Sequence, residues 1–229
     1  MPLAAFQEPR WLRDLLRFLP LKSQFVLSGN VGDLQASEVS PGLVTPQAFL
    51  VHLRDTLLDA GYGQVVAWDP RVGFRVLARP GADAADGDAL LRELGLTPVE
   101  GAAVAGPDLL GETLPRFVDR NGDPVALLVD FASRLVVRNE NLSAAEHRLF
   151  TQALVLSHQA RARPAGEARK PFFNTVLWIV DKEGDLPDWL LVDNPRLRHI
   201  PVSKPDLPAR SAIAASLLRG LDGSRGADA

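Results

Sequence analysis

The segment Ser28-Gly29-Asn30-Val31-Gly32-Asp33 places a hydroxyl, a side-chain amide, two glycines and a carboxylate in one short turn-forming run. Backbone N–H groups of a glycine-rich turn ahead of a helix can cradle a phosphate. A working cradle, however, has the pattern Gly-x-x-x-x-Gly-Lys-Ser/Thr, whose lysine neutralises the β- and γ-phosphates and whose hydroxyl holds magnesium. No lysine follows a glycine anywhere in the chain, and Lys22-Ser23 precedes the apolar run rather than following it. Gly29 and Gly32 therefore read as turn residues. A second feature is Leu127-Leu128-Val129-Asp130, an apolar run ending in an aspartate of the kind that orients a metal-bound water. The next position would hold a second acid as general base, and here it is Phe131. The plainer role for Asp130 is to cap the following helix or turn. Asp181 closes a third apolar run in the same way.

Other chemistry is sparse. His52, His147, His158 and His199 are scattered, and His147 and His158 lie too far apart on one helix to share a metal. There is no Gly-x-Ser-x-Gly or His-Glu-x-x-His pattern, and no cysteine. No catalytic residue and no metal site is assigned. Trp68 and Trp178 sit in apolar runs and read as core rather than as a base-stacking platform. Two basic groups are candidate interaction residues: Arg161, Arg163, Arg169 and Lys170 in one stretch, and Arg196 with Arg198 in another. The first is either a solvated charge run or a partner contact. The second could grip a neighbour's carboxylate or phosphate, or pair with Asp193 and Asp206.

The bulk properties narrow the classes. The 229 residues are 46% hydrophobic and 23% charged, enough to bury a core. A net charge of -3 disfavours nucleic acid as a partner. Charges among the N-terminal leucines exclude a signal peptide there, and no apolar run is long enough to span a membrane. Without cysteine the default location is the cytoplasm.

Periodicity supplies the elements that must position these groups. Apolar spacing predicts helices over 9–19, 46–60, 89–94, 107–120, 144–160 and 208–218. Thr45-Pro46 reads as the cap and first turn of the second, Gly61 as its end, and Ser143-Ala-Ala-Glu146 as a capping box. Strands are expected at 24–30, 64–68, 125–130, 174–181 and 197–202, with 73–78 as a hairpin partner of 64–68. The segments 31–44, 80–88 and 161–170 read as loops. Unbroken apolar strands alternating with helices imply an α/β fold, a mostly parallel sheet covered on both faces. The domain reading is an amphipathic helix over 1–20, the α/β domain over 21–220 and a flexible tail or linker over 221–229.

From about residue 120 to 218 the order of features resembles the second half of an AAA+ ATPase module, one form of the P-loop NTPase fold. Leu127-Leu-Val-Asp-Phe131 corresponds to the metal-acid strand, Thr175-Val-Leu-Trp-Ile-Val180 to the sensor-1 strand, and Asn194-Pro-Arg-Leu-Arg198 to the arginine-bearing turn. With Val66-Ala-Trp-Asp-Pro-Arg-Val-Gly-Phe74 and Leu186-Pro-Asp-Trp-Leu190, the chain is more specifically similar to the degenerate first domain of plastid and cyanobacterial open-reading-frame type AAA+ proteins. Those proteins lack a phosphate loop in the first module and carry a complete ATPase module after it. The resemblance implies a five-stranded parallel order 5-1-4-3-2, with Ser28, Gly29, Asn30, Gly32, Asp33, Asp130 and Asp181 as remnants of a nucleotide site. It also implies an AAA+ ATPase module as partner, in cis or in trans, that holds the ATP and magnesium this chain does not, and assembly into an oligomer. The chain departs from an active module at Phe131 and at Asp181, which follows the sensor-1 strand instead of lying within it. The expected function is therefore non-catalytic interaction with, or regulation of, an ATPase. The alternatives are a fragment of a longer ATPase, a divergent ATP-binding domain using 28–33, or a DNA-associated module.

Overall fold

The computed structural model describes residues 7–40, 43–165 and 170–219. Arg169 and the expected tail over 221–229 lie outside them. The chain runs α1 (Arg10–Phe18), β1 (Gln24–Gly29), β2 (Gln35–Ser40), β3 (Leu43–Gln47), α2 (Phe49–Ala60), β4 (Gln64–Asp69), β5 (Gly73–Val76) and α3 (Ala84–Glu93). It continues through β6 (Ala102–Ala103), α4 (Pro107–Asp119), β7 (Val125–Val129), α5 (Ala144–Gln159), β8 (Arg163–Ala165) and β9 (Lys170–Phe172). It closes with β10 (Thr175–Val180), α6 (Asp188–Leu191), β11 (Leu197–Val202) and α7 (Leu207–Arg219).

The main sheet has the order β11-β1-β10-β7-β4-β5-β6. Its first five strands are parallel, and ranked by chain position they read 5-1-4-3-2, as the resemblance implied. The sheet has seven strands rather than five, because β5 and β6 add antiparallel to its β4 edge. The inner parallel strands β1, β10, β7 and β4 are largely apolar on both sides because both faces are covered. Val26, Trp68, Leu127 and Trp178 face α3, α4 and α5. Phe25, Ala67, Leu128 and Leu177 face α1 and α2. The capping box forms as expected, with Ser143 accepting from the Glu146 N–H and Glu146 from the Ser143 N–H.

Four local expectations are corrected. Residues 31–44 are not a loop throughout: β2 and β3 pair antiparallel, and Ala36 and Val44 pack on Ala209 of α7. Thr45 and Pro46 belong to β3, in a two-stranded ribbon where a proline displaces no central ladder, and α2 starts later with Ala48 as its cap. The 80–88 stretch is helical from Ala84, with Asp83 accepting from the Ala85 N–H. Its Gly87 lies against β5, where an added Cβ would sit 3.2 Å from Val76. Within 161–170, β8 and β9 pair antiparallel.

Candidate functional site

Ligands of parallel α/β sheets collect beyond the carboxyl ends of the strands, and β1, second from the β11 edge, lies between the last two parallel strands of the chain, β10 and β11. Ser28, 5% exposed, closes β1, and its Oγ lies 2.7 Å from His199 Nε2 on β11. His199 Nδ1 lies 3.2 Å from Glu183 Oε1. Gly29 then takes φ +102°, where an added Cβ would stand 2.9 Å from the Val202 carbonyl oxygen. That carbonyl accepts the Asn30 N–H at 3.0 Å. The buried Gln35 amide donates to the carbonyls of Asn30 at 3.4 Å and Asp33 at 3.3 Å. The turn is thus closed from inside by its carbonyls. Gly32 has open space around it and Asp33 is exposed. Asn30 Nδ2 is buried with no hydrogen-bond partner among the described residues.

A phosphate cradle requires a strand end and a helix N-terminus to meet across a short loop. Here residues 30–48, including the β2–β3 ribbon, separate β1 from α2. The opening residue of α2, Phe49, is 5% exposed and stacks with Trp11 at a centroid distance of 5.6 Å. Ala48, Phe49 and Leu50 offer neither an ammonium nor a hydroxyl.

Asp130 follows β7 beside Asp69 at the end of β4, and the two carboxyls line an open cleft of about 640 Å³ with Arg71, Arg75 and Phe131. Their environments push them apart. Burial raises the Asp130 carboxyl above the ordinary range and the Asp69 charge adds to this, against the Phe131 N–H and the Arg75 charge. Burial would also raise Asp69, but the Val72 N–H at 2.8 Å, the Arg75 guanidinium and the Arg71 N–H at 2.9 Å outweigh it and hold Asp69 low. Asp130 accepts from the adjacent Phe131 N–H at 3.0 Å, but the helical turn over Ala132–Arg134 has Phe131 at its cap and no side-chain cap bond, so Asp130 does not cap it as expected. Phe131 itself takes φ +53° and is 58% exposed.

Asp181 is held elsewhere. Arg134 donates to its carboxylate at 2.8 Å, and its N–H donates to Ser133 Oγ at 2.7 Å. Ser28, Asp181 and Asp130 therefore stand at the ends of the adjacent strands β1, β10 and β7, each engaged with a different partner. Among the described residues no cluster of histidine and carboxylates is placed to hold a metal.

The basic candidates divide. Arg163 donates to the carbonyls of Asp119 and Arg120, closing the C-terminal end of α4. Arg161 and Lys170 are exposed. Arg196 lies 5.9 Å from the Phe173 ring and Arg198 4.5 Å from the Phe18 ring. Neither pairs with Asp193 or Asp206: the Arg196 N–H donates to Asn194 Oδ1, and both guanidinium groups rest on aromatic faces instead. The sequence reading missed the Ser28–His199–Glu183 chain and the Asp69–Arg75 pair. The first joins residues with no local signal; the second was available in the Asp69-Pro70 turn after β4.

No curated protein matches the chain. A family model described as the AAA+ chaperone N-terminal Rossmann-like domain matches residues 5–203, which takes in every strand of the main sheet. The match spans most of the chain and fits its mostly parallel sheet flanked by helices, so the chain belongs to the AAA+ chaperone N-terminal Rossmann-like domain family.

Proposed function

We propose that the chain is a catalytically silent AAA+ domain that docks onto or regulates an ATPase module, joined to it in cis or bound in trans, with ATP and magnesium held by that module. The observation that carries this is the route out of β1. Gly29 abuts the Val202 carbonyl, Gln35 occupies the carbonyls of the turn, and the β2–β3 ribbon stands between strand and helix. The same exit supports the narrower reading of a degenerate first module like those of the plastid and cyanobacterial open-reading-frame type. Assembly with further copies and a cytoplasmic location belong to this reading. Among the described residues no helix is long and apolar enough to cross a membrane.

Calorimetric titration with ATP and ADP, with and without magnesium, tests it: no heat of binding is expected up to millimolar nucleotide. One observation favours a second reading, a divergent nucleotide site at 28–33. The buried Asn30 Nδ2 lacks an acceptor, a costly state of about 1–3 kcal/mol that a bound anion would relieve. Micromolar, magnesium-dependent binding lost in Asn30→Ala would establish that site and end the silent-domain reading.

A further inference from the structure

At the β11 edge of the sheet, α1 and the edge strand gather arginines. Burial of Trp11, Leu12 and Leu15 turns Arg10, Arg13 and Arg17 to the exposed side of α1, along roughly 10 Å of helix at about 1.5 Å per residue. The Arg17 guanidinium lies 5.6 Å from the Phe18 ring centroid, and Arg198 of β11 lies 4.5 Å from the same centroid. Arg196 rests on Phe173, and beside it Lys22 Nζ donates to the Pro195 carbonyl at 2.6 Å. Of these cations, only Arg10 meets a carboxylate among the described residues, Asp14 at 3.8 Å. Six arginines elsewhere, Arg54, Arg75, Arg79, Arg92, Arg120 and Arg134, each face an aspartate or glutamate, and Arg116 and Arg163 donate to backbone carbonyls.

Two guanidinium groups on one phenyl ring repel each other, and the ring holds them in place by cation–π attraction. An anion bridging them removes the repulsion, and their planar forks match carboxylate oxygens two by two. Because the side chains are already positioned on rings, less rotamer freedom is lost on binding.

We propose that this edge, centred on Arg13, Arg17, Arg196 and Arg198, is the docking surface for an acidic segment of a protein partner; the proposal rests on the reading of the chain as a docking domain. Nucleic acid fits less well. The ring of Phe18 is shared by two guanidinium groups and so is not a free face on which bases could stack. The chain's net charge of -3 also opposes a long polyanion.

Fluorescence anisotropy of a fluorescein-labelled glutamate-rich peptide, beside labelled single-stranded and duplex DNA at equal ionic strength, tests the surface. Circular dichroism and urea melts confirm that each variant is folded. The peptide is expected to bind and to weaken as salt is added. The double variant Arg17→Glu/Arg198→Glu should lose at least about tenfold in affinity. Arg17→Lys/Arg198→Lys, which keeps the charge and removes the forks, should fall between wild type and the reversal. The proposal is overturned if the peptide does not bind at low salt, if folded charge-reversed protein binds it unchanged, or if DNA binds as tightly as the peptide. These outcomes are separate from the nucleotide titration. Peptide failure with no ATP binding removes this surface and leaves the silent-domain reading, whereas ATP binding removes that reading whatever the peptide does.

Discussion

Gly29 gives the sharpest test of why β1 ends as it does. Replacing it with alanine puts a Cβ 2.9 Å from the Val202 carbonyl oxygen, on a backbone at φ +102° that side chains rarely adopt. The conformational strain is of order 1–2 kcal/mol. Pushing β11 away also weakens the Asn30 N–H bond to that carbonyl, worth about 1 kcal/mol. Gly29→Ala should therefore cost about 2–3 kcal/mol, a fall in melting temperature of some 2–4 °C per kcal/mol for a chain of this size. Gly32→Ala is the internal control, because nothing lies within 4 Å of the added carbon and its φ is outside the left-handed region. It should stay within about 0.5 kcal/mol of wild type. Urea unfolding followed by tryptophan fluorescence reads both, since Trp68 and Trp178 are fully buried. Equal losses in the two variants would refute the close-approach argument. So would a Gly29→Ala protein of unchanged stability that has lost ATP binding, the signature of a glycine kept for phosphate.

Two further substitutions separate the neighbouring carboxylates. Asp69, held low by its two N–H donors and Arg75, contributes stability that is present above the ordinary unfolded aspartate value, about pH 3.9, and is lost as pH falls from there through its lower folded value. Asp69→Asn should destabilise at pH 7 by about 2 kcal/mol, as expected when a hydrogen-bonded charge is removed, and should flatten the acid limb of the stability curve. Asp130 has the opposite sign: burial raises it, so its ionisation penalises the fold above its folded value and the penalty vanishes below the unfolded one. Asp130→Asn should stabilise the protein at pH 7 and lose that advantage near pH 4; urea melts at both pH values measure the pair, and a destabilised Asp130→Asn at pH 7 would count against the burial argument. Ser143→Ala, which removes the α5 cap, should cost about 1 kcal/mol by the same melts, and no loss would mean that the capping box adds nothing in solution.

The inner parallel strands were legible because β4, β7 and β10 are nearly unbroken apolar runs and β1 carries a short one, the pattern that double-sided burial demands, whereas the edge strand β11 was a weaker signal, with Arg198 and Pro201 exposed. The β2–β3 ribbon was not, since Gln35-Ala-Ser-Glu-Val-Ser40 carries little apolar signal and its packing partner, Ala209, lies far along the chain. Thr45-Pro46 misled for a related reason: a hydroxyl followed by proline is also what an edge ribbon tolerates. At the site, Asp130 and the absent lysine could be read locally. The Ser28–His199 contact could not, because it arises only when β11 is laid beside β1.

The laying of β11 against β1 also supports the proposal that the carboxyl edge does not hold phosphate. In a strand-to-helix cradle the first turn's N–H groups must point outward with their dipole toward the ligand. Here the Asn30 N–H turns sideways to Val202, the Val31 N–H turns back to the Gly29 carbonyl at 2.8 Å, and Gln35 holds the turn from below. Restoring a cradle would need more than a lysine and a hydroxyl. The β2–β3 ribbon, which packs against α7 through Ala36, Val44 and Ala209, would have to be removed so that α2 could begin where β1 ends. Point substitution toward Gly-Lys-Ser at residues 32–34 would therefore place the right side chains on a turn whose first two backbone donors, the N–H groups of Asn30 and Val31, are already committed, and magnesium-dependent nucleotide binding should not appear.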